Sequence, residues 1–500
     1  MNHPNFSLSQ NSGNRLDRRT FVKTLAAAGL GLAVGTAPAA PAVSTEKRRR
    51  RFAQVGTGSR AIMHQRAVQE TFRDQCEMVA LCDLNPGRLE LARRRSLGFG
   101  AAMPAGYLAA DFDRMLRETR PEVVIVTTVD GTHADYIVRA LEAGCDVITE
   151  KPMTTTAENC QRILDATART GRRCRVAFNY RYSPARTQLK ELLAGGAIGE
   201  VLSVDFHWML DTHHGADYFR RWHSRKANSG GLMIHKATHH FDLVNWWLGA
   251  LPESVWAVGK REFYTPATAR RLGLASHHER CHTCPERAAC AFALDLAASP
   301  KLRQLYLEQE QHDGYFRDRC VFRPEIDIED TMNVIVRYET GTTISYSLNA
   351  FNSWEGYTIA FNGTKGRLEH ADVESVYRAG AEPRQVERGP VGNTTRVIPL
   401  RGAAEVIEPR KGEGGHGGGD PLMLADLYLP EPPADPFHRA SDEHGGAASC
   451  LIGAAANRSF VDGRPVRIAD LVAGLRRPAG VPMPGRETAI PMPSACAWTP

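Results

Sequence analysis

Three features of this 500-residue sequence predict an α/β chain: a strand running into Gly56-x-Gly58, alternating strands and helices with short loops out to about residue 181, and period-two strands beyond it. The first two predict a Rossmann-like domain on a parallel sheet, because parallel neighbours need crossovers, and here these have helical length and periodicity. The third predicts a following α+β domain built on a large, mostly antiparallel open sheet with one covered face. A composition of 42% hydrophobic and 24% charged residues is that of a globular protein with room for two or three domains. The net charge of +6 is small for this size and comes largely from the N-terminus and the run Lys47 to Arg51, read as a solvated segment. That argues against nucleic acid as a partner.

The chain opens with a segment to be set apart from the fold. Arg18 and Arg19, then Phe21 and Lys23, precede an Ala/Gly/Leu stretch too short to span a bilayer stably, and an Ala-x-Ala end follows. The spacing is that of a twin-arginine export signal over residues 1–42, which implies the export machinery as a partner and a periplasmic location in a bacterium. An uncleaved membrane anchor is the alternative.

The first domain is expected over 48–181. A strand at 52–55 enters Gly56-x-Gly58-x-x-Ala61, where glycines let the backbone approach a pyrophosphate, with Ser59 and Arg60 in the same turn. The strand CEMVALCD ends at Asp83, where a carboxylate can bond both ribose hydroxyls and repel a 2′-phosphate. NAD is therefore favoured over NADP, although Arg88 nearby could receive the phosphate. Helices near 87–95, 111–118, 132–143 and 157–170 alternate with strands at 122–128, 146–152 and 173–181. Thr128, His133, Glu150, Lys151 and Asn179 fall at or just past the carboxyl ends of these strands, where such sheets bind ligands.

The second domain is expected over 182–476. A helix at 184–194 leads into strands at 200–210, 253–263, 331–338, 342–350 and 357–362. An open sheet face suggests a homo-oligomer. Between the first two strands lies SGGLMIHKATHHFDLVNWW (229–247), whose His235, His239 and Asp242 share one stripe of a helix. The stripe either does chemistry or is a hydrogen-bonded seam, and Trp246 and Trp247 read as core. The segment 211–223, with His213 and His214, and the residues Tyr182, His235 and Asp242 are candidates to line a pocket, and Asp242 or a backbone group is a candidate to orient His239; a metal held by His213, His214, His235 and His239 is a further option. The glycine run around His416 and Asp420 is a flexible loop or a lid.

An insertion at 265–325 carries Cys281-x2-Cys284-x5-Cys290 with Cys320 downstream. The four read as a zinc or iron–sulfur site, as two disulfides in an oxidising compartment, or as unlinked thiols. Cys76, Cys82, Cys145, Cys160 and Cys174 read as buried thiols, and the proline-rich tail, 477–500, as loose.

Glu150-Lys151-Pro152, FNYRYSP at 178–184 and the G-G-x3-H-x3-H-x2-D pattern at 230–242 together resemble the Gfo/Idh/MocA family over roughly residues 50–370. The resemblance implies NAD(P)-dependent oxidation or reduction of a sugar, cyclitol or sugar derivative. It also implies that Lys151 contacts the reacting hydroxyl and His239 is the acid/base. The family's frequent aspartate four residues before the histidine is His235 here, itself able to take part near neutral pH. Two other readings stand beside a dehydrogenase: a redox-neutral glycoside hydrolase or lyase that recycles tightly bound NAD, and a non-catalytic sugar-binding protein.

Overall fold

The computed structural model describes residues 48–376 and 393–490. The expected export signal, 1–42, and the last ten residues of the tail lie outside the described residues. The first sheet contains β1 (Arg50–Val55), β2 (Cys76–Asp83), β3 (Ala105–Leu108), β4 (Val123–Val126), β5 (Asp146–Thr149) and β6 (Cys174–Val176). Their order is β3-β2-β1-β4-β5-β6, with every pair parallel. The direction of winding reverses between β1 and β4, which opens a crevice at their carboxyl ends. Val123 to Val126 are fully buried, as a central parallel strand covered on both faces requires.

The second sheet contains β7 (Val201–Asp211), β8 (Pro252–Lys260), β9 (Thr331–Tyr338), β10 (Thr343–Asn352), β11 (Trp354–Gly363), β12 (Gly366–Val376), β13 (Thr394–Pro399), β14 (Glu405–Ile407) and β15 (Val466–Arg467). Its order is β14-β13-β12-β11-β7-β10-β9-β8-β15, antiparallel except where β7 pairs with β10. Alternate residues of β9 and β10 are buried, so one face packs on helices. The other face exposes Trp256 and Ile335, which are register partners, as well as Val258 and Leu202.

The helix Glu443–Asp462 ties the two domains together. It packs on helix Ala157–Thr170 and β6 of the first domain, and on helix Ala237–Leu248 and β8 of the second. Its small residues allow this closeness: a Cβ on Gly453 would stand 2.4 Å from the Met233 carbonyl oxygen. The segment entering the cleft at His235 is thereby fixed from behind.

Several expectations change. The strand expected at 173–181 stops at Val176, and a 3-10 turn, Asn179–Tyr182, follows, carrying Asn179 and Tyr180 to the crevice. The single helix expected over 229–247 is two, Leu232–His235 and Ala237–Leu248, broken at Lys236. Arg50 and Arg51 are not free solvated charges: they begin β1, where Arg50 meets Asp146 at 3.3 Å and Arg51 donates to the Thr119 carbonyl at 2.6 Å. The tail is not loose over its described part, since Arg477 pairs with Glu339 at 2.6 Å and Met483 Sδ lies 3.1 Å from Lys190 Nζ.

Candidate active site

The carboxyl ends of β1, β4 and β5 face the second domain across a cleft of about 610 Å³. The first domain lines it with Arg60, Thr128, Asp130, His133, Glu150, Lys151, Asn179 and Tyr180. The second contributes His213, His214, Tyr218, His223, His235, Lys236, His239, Glu355 and His416.

The glycine turn suits a dinucleotide. Gly56 has φ +85°, and a Cβ there would lie 2.5 Å from the Thr127 carbonyl oxygen, so only glycine fits. A Cβ on Gly58 would meet nothing within 4 Å, which leaves the loop open to a close-lying phosphate. Ser59 and Arg60 follow at the entry to the helix Ala61–Arg66. Asp83 faces this turn, accepting from Thr57 N at 2.6 Å and Thr57 Oγ1 at 2.8 Å.

Glu150 organises the floor. Its carboxylate accepts from Arg60 Nε at 2.7 Å and lies 2.9 Å from His64 Nε2. Burial pushes this carboxyl up, but Arg60 and His64 outweigh it and hold it below the usual range. Asn179 donates to Asp420 at 2.7 Å, and Asp420 also receives Arg60 at 3.5 Å and His416 at 2.9 Å. The glycine run is thus a built loop whose left-handed residues, His416 to Gly418, place His416 at the cleft. His133 is buried, with Nδ1 2.9 Å from the Pro152 carbonyl and Nε2 3.3 Å from that of Thr128. It fixes the two strand ends beside the cleft.

Lys151, His235 and His239 come together. Lys151 Nζ donates to the His235 main-chain oxygen at 3.0 Å. Burial lowers the lysine and Asp130 and Glu150 partly restore it, leaving it at about 8. His235 Nδ1 stands 2.5 Å from Asp130 Oδ2. Burial pushes this carboxyl up and this imidazole down. His239 stacks on Tyr180 with ring centroids 4.2 Å apart, and its buried Nδ1 has no protein partner. Burial, with Lys151 next, depresses His239 well below an ordinary histidine, which keeps the ring neutral.

Helix Thr212–Arg220 starts at Asp211, which accepts from the main-chain nitrogens of His213 and His214 at 3.0 and 2.8 Å. The His214 ring lies 2.8 Å from Glu355 and from the Tyr218 hydroxyl. Lys236 reaches the same Glu355 at 3.3 Å. Burial raises Glu355, yet Lys236 and His214 bring it down to about 2. His223 stacks on Trp222 at 3.6 Å and meets His235 edge-on at 4.1 Å.

Two expected pocket residues are elsewhere. Asp242 is fully buried in a two-pronged pair with Arg181, at 2.8 and 2.5 Å. It does not orient His239. Tyr182 turns away from the cleft, donates to Asp426 at 2.5 Å and lies under Arg439. Tyr180, two residues earlier, takes its place. The sequence reading also passed over Asp130 and Glu355. Asp130 was findable, since it sits just past the end of β4; Glu355 comes from a remote strand, with no local signal.

The metal expectations find no support: among the described residues no group of three or more His, Cys, Asp or Glu is arranged to hold a metal ion. Nor does a disulfide link the insertion. Cys281, Cys284, Cys290 and Cys320 are all free thiols, although they line one small cavity together. Cys76, Cys82, Cys145, Cys160 and Cys174 are buried free thiols.

Comparison with known proteins bears on the same two domains. Residues 50–178 match the family model described as "Oxidoreductase family, NAD-binding Rossmann fold", and residues 190–468 the one described as "Oxidoreductase family, C-terminal alpha/beta domain", the paired GFO_IDH_MocA models. YteT of Bacillus subtilis (strain 168) is 37% identical over 425 residues, 83% of this chain and 97% of that protein. Inositol 2-dehydrogenase of Salmonella typhimurium is 31% identical over 195 residues, 39% of this chain and 53% of that enzyme. Among solved structures, aldose-aldose oxidoreductase from Caulobacter crescentus, complexed with glycerol, superposes with a TM-score of 0.54 at 19% identity, covering 84% of this chain and 100% of that one. The WlbA dehydrogenase from Bordetella pertussis, in complex with NADH and UDP-GlcNAcA, gives 0.53 at 18% identity, covering 84% and 99%. At such identities these two establish a shared fold.

Proposed function

Because this chain belongs to the Gfo/Idh/MocA oxidoreductase family, we propose that it oxidises or reduces a CH–OH group of a neutral sugar, cyclitol or sugar derivative with NAD. The observation that carries the neutral substrate is the pairing of two of the cations around the cleft, Arg60 and Lys236, with carboxylates. Arg60 is held by Glu150 at 2.7 Å and Lys236 by Glu355 at 3.3 Å. A phosphate or carboxylate on the substrate would find these charges taken and meet the carboxylates instead. Hydroxyls suit the imidazoles and the Trp222 and Tyr180 rings that line the same space.

Gly56, Gly58, Ser59, Arg60, Asp83, Thr128, His133, Glu150, Lys151 and Asn179 would hold the dinucleotide or the elements against it. Bound nicotinamide supplies a hydride acceptor or donor. Lys151 donates a hydrogen bond to the reacting oxygen and stabilises the negative charge that develops there. His239, neutral in its buried setting, takes the hydroxyl proton during oxidation and returns it during reduction. Asp130 positions His235, whose main-chain oxygen in turn holds Lys151 Nζ. The segment that carries His213 and His214 would line the substrate side of the cleft.

The experiment is a comparison of kcat/KM, with NAD supplied, across neutral cyclitols and aldoses and their phosphorylated and carboxylated counterparts. Neutral compounds are expected to be favoured, and preference for the charged ones would overturn the reading. We also propose, from the Arg18-Arg19-x-Phe21-x-Lys23 pattern, that the chain is exported; cell fractionation of the paired R18K/R19K variant tests this. The exposed Trp256 and Ile335 face supports self-association, which light scattering of a W256S variant would measure.

A further inference from the structure

We propose that the strap 303–313 of the cysteine-bearing insertion is a cofactor-specificity element, holding Arg88 away from a 2′-phosphate so that the first domain selects NAD over NADP. The proposal rests on the reading that this domain binds a nicotinamide dinucleotide. In such domains the acid closing the second strand meets the adenosine ribose, and a nearby arginine is what accommodates a 2′-phosphate. Here the acid is Asp83 and the arginine is Arg88.

The insertion leaves the second domain between β8 and β9 and returns to this turn of the first. Asn85, fully buried, donates from Nδ2 to the Gln309 main-chain oxygen at 2.9 Å. Its Oδ1 caps the helix Pro86–Gly98 by accepting from Arg88 N at 2.9 Å. A Cβ on Gly87 would lie 1.8 Å from Gln309 Oε1 and 2.9 Å from His312 Cδ2, so the strap packs directly on this turn. Arg88 Nη2 pairs with Asp313 Oδ2, and its Nε lies 3.9 Å from Asp83 Oδ1. The two side chains of the Arg88–Asp313 pair are only 12% and 8% exposed. Arg280 braces the strap from within the insertion, reaching Glu310 at 3.0 Å and Asp318 at 2.9 Å.

The guanidinium thus stands between two carboxylates. Arg88 Nη1 has no hydrogen-bond partner among the described residues, but a 2′-phosphate that reached it would have to enter the space between Asp83 and Asp313 and lie against both carboxylates. A bare ribose hydroxyl meets no such conflict. Removing Asp313 alone should release Arg88 and let the phosphate in.

The experiment measures NAD and NADP affinities of the full chain, freed of nucleotide, by calorimetric titration, with melting temperatures to establish folding. The wild type is expected to bind NAD at least tenfold more tightly than NADP. In D313A the ratio should narrow by tenfold or more, mainly through tighter NADP binding, and adding R88A should abolish that gain. D313N keeps the shape and removes the charge, so it serves if D313A does not fold. An unchanged ratio in a folded D313A or D313N variant, or a wild type that prefers NADP, overturns the proposal while leaving the dehydrogenase reading intact. Failure of the wild type to bind either nucleotide overturns both.

Discussion

Asp130 Oδ2 lies 2.5 Å from His235 Nδ1, joining the loop after β4 of the first domain to the short helix Leu232–His235 of the second. The contact crosses the cleft beside Lys151, whose ammonium is held by the main chain of the same histidine. It assigns Asp130 a positioning role. Replacing it with asparagine keeps the shape and weakens the grip on the imidazole. We expect kcat to fall by about 10- to 100-fold with KM little changed and NAD affinity retained. Calorimetric NAD binding and steady-state kinetics would check this, and a fall in NAD affinity alone would contradict it.

His239 differs, because it touches the reacting oxygen in this account. Loss of a general base costs about 10²- to 10⁴-fold in rate. His239→Ala should lose kcat on that scale while still binding NAD.

Lys151 is expected to set an upper pH limit. Burial, its largest influence, lowers the ammonium to about 8. The hydrogen bond proposed for it to the substrate oxygen needs the protonated form, so an oxidation rate limited by this group is expected to fall as pH rises through about 8. The kcat profile of the wild type should show that descending limb. Lys151→Arg, which stays charged, should lose it even at reduced rate.

Lys190 gives a separate dependence, of stability. Its ammonium bonds the carbonyls of Trp246 and Trp247 at 2.8 and 3.2 Å, and burial, aided by Arg181, lowers it to about 7. A lysine whose folded value lies below its unfolded value near 10.4 binds more protons when unfolded, between about pH 7 and 10. Stability contributed by this group therefore rises with pH across that window. Lys190→Met should flatten the rise in melting temperature between pH 7 and 9, and an identical slope would contradict the assignment.

Asp242 is expected to matter to the fold and not to the chemistry. Removing one partner of a buried ion pair costs about 3–5 kcal/mol. Asp242→Ala should lower the melting temperature sharply, while Tyr182→Phe leaves KM unchanged. A selective rise in KM for either variant would return that residue to the pocket.

The layout of both domains was legible because burial follows periodicity: CEMVALCD forms β2 with the expected ends, as do the helices Ala157–Thr170 and Pro184–Ala194. The position of Lys151 and His239 at the cleft was legible through motifs. What failed was contact between distant segments. Asp242 sits at helical spacing from His239, but its partner, Arg181, lies on a turn 61 residues away. The backbone also breaks at Lys236, which no local propensity of that stretch demands. Likewise, nothing near Arg88 announces Asp313, 225 residues downstream.

Lys151 and His239 are proposed to serve NAD-dependent oxidation of a neutral polyhydroxylated substrate. The most direct test of that role is the absorbance spectrum of the NAD-loaded protein during addition of neutral cyclitols, aldoses and their glycosides. The reduced-nicotinamide band is expected to grow and persist with at least one compound in the wild type, and to grow about 10²- to 10⁴-fold more slowly in the NAD-loaded His239→Ala variant. Product formation with no accumulating band, or an unaltered response in that variant, would contradict it.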